Sequence, residues 1–420
     1  MFEIKKLCVV VLALLAGACG DDAGPGGHTD EGDDAADRLA DSGDGDAPAG
    51  DGDVESHPDD PVAETVATYS RIVLASYEDS LDAAVAMDLA IDAFLANPTE
   101  DTLDAAKQAW LDAREPYLQT EVYRFYEGPI DNEEDGPEGL LNAWPLDEHF
   151  IDYVDGDDSA GIINDPEQTI DAESLEGLNE HGGEKNIATG FHAIEFLLWG
   201  QDGDDAGPGA RPATDFVDGG SADNQERRRQ YLEVVSDLLI THLQQLVDAW
   251  AEDENNYRAE LEALEPAQAL ERILTGMIVL SGFETGGERL QTALDTADQE
   301  DEHSCFSDNT HRDMVQDVRG IQNVYLGSYE RIDGSTVSGT GVIDVVAALD
   351  EDLAEKVEAR IAESLSLAEE LVPPFDQEIA LDNAQGRTRV EALVESLLLQ
   401  EEDLFDIFSA FGLSVEIPEA

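Results

Sequence analysis

The chain has 420 residues, with 97 Asp and Glu against 22 Lys and Arg and a formal net charge of −75. That balance excludes nucleic acid as a partner, since neutralising phosphates needs a basic face, and it favours cations near the surface. Aromatic residues make up 6% of the chain and alternating β-branched runs are few, which argues for helices, and residues 61–420 are enough for two cores.

The first nineteen residues read as an export segment. Lys5 and Lys6 precede an apolar run, Leu7 to Leu15, that is too short to span a bilayer. The small residues Ala16-Gly17-Ala18 then lead into Cys19. A cysteine in that position resembles a bacterial lipoprotein box, in which Cys19 becomes the acylated N-terminus, and two or more acyl chains would give stable anchoring. Ala16 stands where leucine is usual, so plain secretion is the alternative. Residues 20–60 carry fifteen Asp or Glu and one basic residue, Arg38, with almost no large apolar side chains. Such a stretch cannot offset its ordering entropy, and it is expected to be a disordered acidic tether.

From Pro61 the pattern is helical. Val62, Val66, Tyr69, Val73, Ser76, Ser80, Ala84, Met87, Ile91 and Phe94 step by three and four. Asn97-Pro98 ends this helix, and Thr99 can cap a second one that carries Trp110, Arg114, Tyr117 and Glu121. A Gly- and Pro-rich acidic excursion follows from Glu127 to about Glu176, after which a further helix is expected to begin near Glu184. A second linker, Asp202 to Asp223, divides the chain. Beyond it, Tyr231–Trp250, Pro266–Gly282, Val342–Leu371 and Thr388–Phe411 read as amphipathic helices. The expected architecture is all-α, with two packed helical bundles at 61–201 and 224–415. Thr189-Gly190 and Thr275-Gly276 would then mark matching places of a divergent internal duplication.

The stretch Gly190-Phe-His-Ala-Ile-Glu-Phe-Leu-Leu-Trp-Gly200 combines an apolar helical stripe with His192 and Glu195 three residues apart. In a helix these two lie side by side and form half of a metal site, as Glu-x-x-His pairs do in bundles. The same spacing also fits a buried histidine hydrogen-bonded to a glutamate one turn on. Glu121, on the preceding long helix and two turns after Arg114, is the third ligand most consistent with helix geometry. Arg114 could keep such a carboxylate ionised, and Tyr117 could hydrogen-bond a ligand. Glu284, Glu288 and Arg289, after the Gly-rich break of the second half, could face the same cleft but rank no higher than a solvated helix end. A second block holds His303, Cys305, Asp308 and His311. It contains ligand types for another site, and its Ser307, Asp308 and Asn309 would also suit a helix cap. Cys305 is the one cysteine after residue 19, so no disulfide framework exists despite the export signal.

The Gly190-x-His192-x-x-Glu195 signature resembles that of the imelysin family. Trp110-Leu-Asp-Ala-Arg114-Glu-Pro-Tyr117, Gly128-Pro-Ile-Asp131, Asn142-Ala-Trp-Pro-Leu-Asp147 and Glu302-His-Ser-Cys-Phe-Ser-Asp-Asn-Thr-His311 resemble further family blocks, over roughly residues 62–415. The resemblance implies a secreted or surface-anchored helical protein of the bacterial cell envelope, facing periplasm or exterior and connected with iron uptake. A permease or redox partner would follow from that role. The family has also carried a peptidase label. His-Glu-x-x-His is absent, Phe196 stands where the inverted motif needs histidine, and no Gly-x-Ser-x-Gly elbow occurs. A catalytic zinc set is therefore incomplete, whereas iron, or a related divalent cation such as zinc, accepts imidazole and carboxylate together. The expectation is a metal-binding protein, with a metal-dependent peptidase and a cell-surface interaction module as the competing classes.

Overall fold

Asp60 opens the folded region. Its carboxylate accepts from the Val62 N–H at 2.9 Å, Pro61 takes the first helical position, and helix α1 runs over Pro61–Ala96. The computed structural model describes residues 60–203, 207–252 and 255–413. The export segment with Cys19 and the tether up to residue 59 lie outside the described residues. Helix α2 (Glu100–Leu118) starts, as expected, on a capping box between Thr99 and Thr102. Along α1 the residues Ile72, Val73, Tyr77, Met87, Ile91 and Phe94 are fully buried. Each contributes roughly 1.5–3 kcal/mol of burial energy, which is why this stripe and not local propensity holds the helix.

Among the described residues the fold is all-α apart from one small hairpin. After a long irregular excursion with four short helical turns come α3 (Gly190–Trp199), α4 (Gln225–Trp250) and α5 (Pro266–Ile278). Helix α5 continues without a break into a π-helical stretch, Val279–Gln291. Helix α6 (Thr310–Leu326) leads into the antiparallel strands β1 (Ser328–Glu330) and β2 (Thr336–Ser338), which pair Tyr329 with Val337. Helices α7 (Val342–Leu349), α8 (Glu351–Glu369) and α9 (Ala384–Phe411) complete the order. Helix α1 packs along α2 and α4, while α9 packs along α8 and the π-helical stretch, and α6 touches both α2 and α8. One apolar cluster runs from Val66 to Phe408 through all of them.

Several boundaries differ from the sequence pattern. The helix bearing His192 begins at Gly190 and not near Glu184. The expected helix Val342–Leu371 is two, because Asp350 adopts an extended backbone and its carboxylate caps the next helix through the Leu353 N–H. The Gly-rich stretch after Gly282 is no break: the wider π-turn carries the chain through it. The hairpin was hidden in a short polar segment. Of the two Thr-Gly pairs, Gly190 opens a helix, whereas Gly276 lies inside α5, where a Cβ would collide with the Val122 carbonyl. That close approach seats α5 against the turn that carries Glu121.

Candidate functional site

Thr189 is extended and Gly190 has φ +83°, a left-handed conformation that side chains disfavour. A Cβ there would also sit 2.5 Å from the Leu141 carbonyl oxygen. The helix can therefore start only at this glycine, and all ten residues of α3 are buried. Trp110 Nε1 donates to the Phe191 carbonyl at 2.9 Å and fixes the first turn. His192 and Glu195 then meet one turn apart, with Nδ1 to Oε2 at 2.9 Å. The other carboxylate oxygen of Glu195 accepts from the Ser307 N–H at 2.9 Å and the Ser307 hydroxyl at 2.6 Å.

Ser307 belongs to the second block, so the two candidate sites are one. His303 Nδ1 lies 2.8 Å from Asp313 Oδ2, which also accepts from the Ser304 hydroxyl at 2.5 Å. The ring of His303 stands edge-on to that of His192, centroids 4.9 Å apart at 73°. Trp144 flanks His303 at 5.8 Å and donates from Nε1 to the Glu302 carbonyl. Two buried imidazoles thus sit side by side, each held at Nδ1 by its own carboxylate.

Arginines form the next layer. Arg114 donates from Nη1 to Asn142 Oδ1 at 2.6 Å and lies 3.6 Å from Asp313, with its guanidinium 4.9 Å from the Phe191 ring. It does not pair with Glu121, as the spacing suggested; Asn142 stands between them, 3.4 Å from Glu121 Oε1. Glu121 itself is not on the long helix. Helix α2 ends at Leu118, Thr120 donates to the Tyr117 carbonyl with both its N–H and its hydroxyl, and Glu121 opens a 3₁₀ turn. It accepts there from Arg124 at 2.7 Å and Arg289 at 2.5 Å. Arg289 also holds Asp317 at 3.0 Å and Glu284 at 2.9 Å. Far from a solvated helix end, Arg289 is 2% exposed.

Burial dominates the electrostatics. It pushes the Glu195 carboxyl up to about 8, against the Ser307 hydroxyl and Arg114, which favour the charged form. Burial, then Arg114, holds the His192 imidazole well below its usual range. Burial thus favours the uncharged form of each group. Burial and Arg289 lower His303 in the same way. For Glu121 burial alone would raise the carboxyl, but Arg124 and Arg289 outweigh it and bring it down to about 2.

The far nitrogen of the His192 ring is left over. His192 Nε2 is buried and has no hydrogen-bond partner. With Nδ1–H donating to an ionised Glu195, Nε2 presents a lone pair, the arrangement in which a carboxylate orients an imidazole toward a metal. The remaining candidates are spread around this point. Tyr117 is buried, with its hydroxyl unpartnered. Cys305 is buried as a thiol, raised well above its usual range by desolvation and by Glu195, and a metal would need the thiolate. Burial and Asp376 raise Asp308 to about 7. His311 Nδ1 lies 3.1 Å from the Asp308 carbonyl oxygen. Among the described residues, one set of three His, Cys, Asp or Glu groups has its ligand atoms within 4.8 Å of one another: Asp147, Glu148 and His149. His192, Glu195 and Glu121 do not form such a set. Neither the His192–His303 contact nor the Arg289–Glu121 pair was visible in the spacing, since both span more than 100 residues.

An all-α chain with a buried pair of carboxylate-held histidines is the class of protein that fold and site define. The model of the family described as Imelysin matches residues 73–404, and the chain belongs to that family. It is 27% identical over 273 residues to the iron-regulated protein A of Synechococcus elongatus, a match that covers 63% of each chain. The chain thus spans about 63% of that relative's length. A solved structure from Parabacteroides distasonis, assigned as an iron-regulated protein A precursor, superposes with a TM-score of 0.66 at 22% identity. That superposition covers 84% of this chain and 95% of the other. An imelysin-like protein from Psychrobacter arcticum gives a TM-score of 0.60 at 14% identity, covering 84% and 98%. Among the described residues no helix is long and apolar enough to cross a membrane.

Proposed function

We propose that this imelysin-family protein binds iron, or a related divalent cation, as cargo for uptake at the cell envelope, with His192 Nε2 as the first ligand. The observation that carries the reading is that nitrogen: buried, unpartnered, and backed by a carboxylate on the far side of its ring. The adjacent His303 imidazole is the nearest second donor, with Asp313 in the same supporting role. Two imidazoles suit iron or zinc, and carboxylate, water or chelator oxygens complete such a sphere. Glu195 orients His192 and would join the cation only by giving up its bond to Nδ1. Glu121, bound by two arginines, acts through Asn142 and Arg114, which lies beside Asp313. Export, anchoring through Cys19 and delivery to a permease or redox partner complete the proposed role, and the iron-regulated relative supports the link to iron.

The order of groups favours binding over hydrolysis. Ser307 donates to Glu195, and Glu195 stands between Ser307 and His192. In the Ser-His-Asp arrangement the serine bonds directly to the imidazole that serves as its base, an order that this site does not have. Metal analysis of purified wild type beside His192→Ala tests the proposal: the wild type should hold bound iron or zinc after desalting and the variant should not. Equal metal content in two folded proteins contradicts it.

A further inference from the structure

Asp147, Glu148 and His149 are consecutive, yet one donor atom from each lies within 4.8 Å of the other two: two carboxylate oxygens and an imidazole nitrogen. None of the three belongs to the His192 network. The local backbone explains the convergence. Asp147 is extended, fixed by its N–H donating to the Lys185 carbonyl at 2.8 Å, and the helical turn Glu148–Ile151 follows. Asp147 Oδ1 accepts from the His149 N–H at 3.1 Å, and His149 Nδ1 comes back to 3.3 Å from the same oxygen. The Asp147 and His149 side chains are 45% and 58% exposed, so the group opens to solvent and an ion can reach it.

A helix cap accounts for Asp147 but not for Glu148. Glu148 is 6% exposed, and a carboxylate oxygen of it is directed at the exposed Asp147 and His149 donors. Among the described residues no Lys or Arg pairs with it. The one hydrogen bond it receives from another residue is long, from Gln201 Nε2 to Oε1 at 3.3 Å. Buried carboxylates are ordinarily paired with a cation or bound to a metal. We infer that Asp147, Glu148 and His149 form a second metal site, which takes a divalent transition cation of the zinc type. An imidazole does not suit the oxygen shell that calcium and magnesium take, whereas zinc accepts imidazole and carboxylate oxygen in one sphere. Three protein donors leave a position for water, so the ion exchanges readily and is lost on desalting. Ferrous iron stands near the low end of the divalent series for such donors, which makes zinc the probe.

Calorimetric titration with zinc of the full chain carrying His192→Ala, its fold verified by circular dichroism, separates this site from the buried one. One zinc per chain is expected. His149→Ala added to that background should weaken binding at least about tenfold, and Glu148→Gln should do the same. Asp155→Asn is the control. Asp155 is exposed, and its N–H donates to Oε1 of the same Gln201, so the change removes as much charge as Glu148→Gln and no donor of the site. It should leave the affinity unchanged. Three results would overturn the inference: no zinc bound by the His192→Ala chain, an affinity unchanged by His149→Ala, or an equal loss in Asp155→Asn, the mark of surface charge alone. Every chain compared lacks the His192 imidazole, so none of these results bears on the buried pair.

Discussion

Arg289 is the residue whose removal should be felt most. It is 2% exposed and joins Glu121 and Asp317, both fully buried, from opposite parts of the chain. Methionine in its place would keep much of the volume, leaving Asp317 without its arginine and Glu121 with Arg124 alone. Breaking such a pair by removing one partner costs about 3–5 kcal/mol. Burial already raises Asp317 to about 7 despite Arg289, so it would protonate at small cost. The penalty should therefore come mainly from Glu121. Arg124 and Arg289 together bring its carboxyl to about 2 from an ordinary 4.5, a difference on the order of 3 kcal/mol, of which Arg289 supplies a part through its charge and its hydrogen bond. Because the folded value is the lower one, this stability is present above about pH 4.5 and is lost as pH falls toward about 2. Urea unfolding of wild type and Arg289→Met, followed at pH 7 and pH 3, should show a loss of about 3–5 kcal/mol at neutral pH that shrinks in acid. A loss below about 1 kcal/mol, or one independent of pH, would refute the reasoning.

Other outcomes follow from particular contacts. Gly190→Ala places a Cβ 2.5 Å from the Leu141 oxygen at φ +83°, and should cost at least about 2 kcal/mol in thermal or urea unfolding. Deleting residues 21–59 should leave stability within about 1 kcal/mol, whereas extending the deletion through Asp60 removes the α1 cap and should cost about 1 kcal/mol more. Mass spectrometry of the mature protein from membranes should find an acylated N-terminal Cys19, and an unmodified N-terminus elsewhere would exclude the anchor. Metal binding at His192 Nε2 requires Glu195 to give up its proton, so affinity should rise about tenfold per pH unit up to about 8 and then level off. An affinity that is flat from pH 6 to 8 would show that Glu195 is ionised already.

Much of the fold was legible because it rests on local rules. The stripe from Val62 to Phe94 marked α1 over its whole length, Asn97-Pro98 ended it, and Thr99 capped α2. The His192–Glu195 contact was readable because i, i+3 neighbours on a helix must meet. What stayed hidden was of two kinds. Arg289 lies in a π-helical stretch that runs on through the glycines, where the sequence suggested a break and a solvated helix end. Glu121 was misplaced because the helix closes three residues earlier, at Leu118, and the 3₁₀ turn re-aims its side chain. The other kind is tertiary: Ser307 reaches Glu195 across 112 residues, and Arg289 reaches Glu121 across 168. No local pattern encodes such pairings, so the sequence showed two ligand blocks where the fold makes one site.

Anaerobic calorimetric titration with ferrous iron, on wild type and on His192→Ala with its fold verified by near-UV circular dichroism, tests the central claim most directly. The account predicts one iron per wild-type chain and an affinity lowered at least about tenfold, roughly 1.4 kcal/mol, in the variant. Equal affinity in the two folded proteins would contradict it.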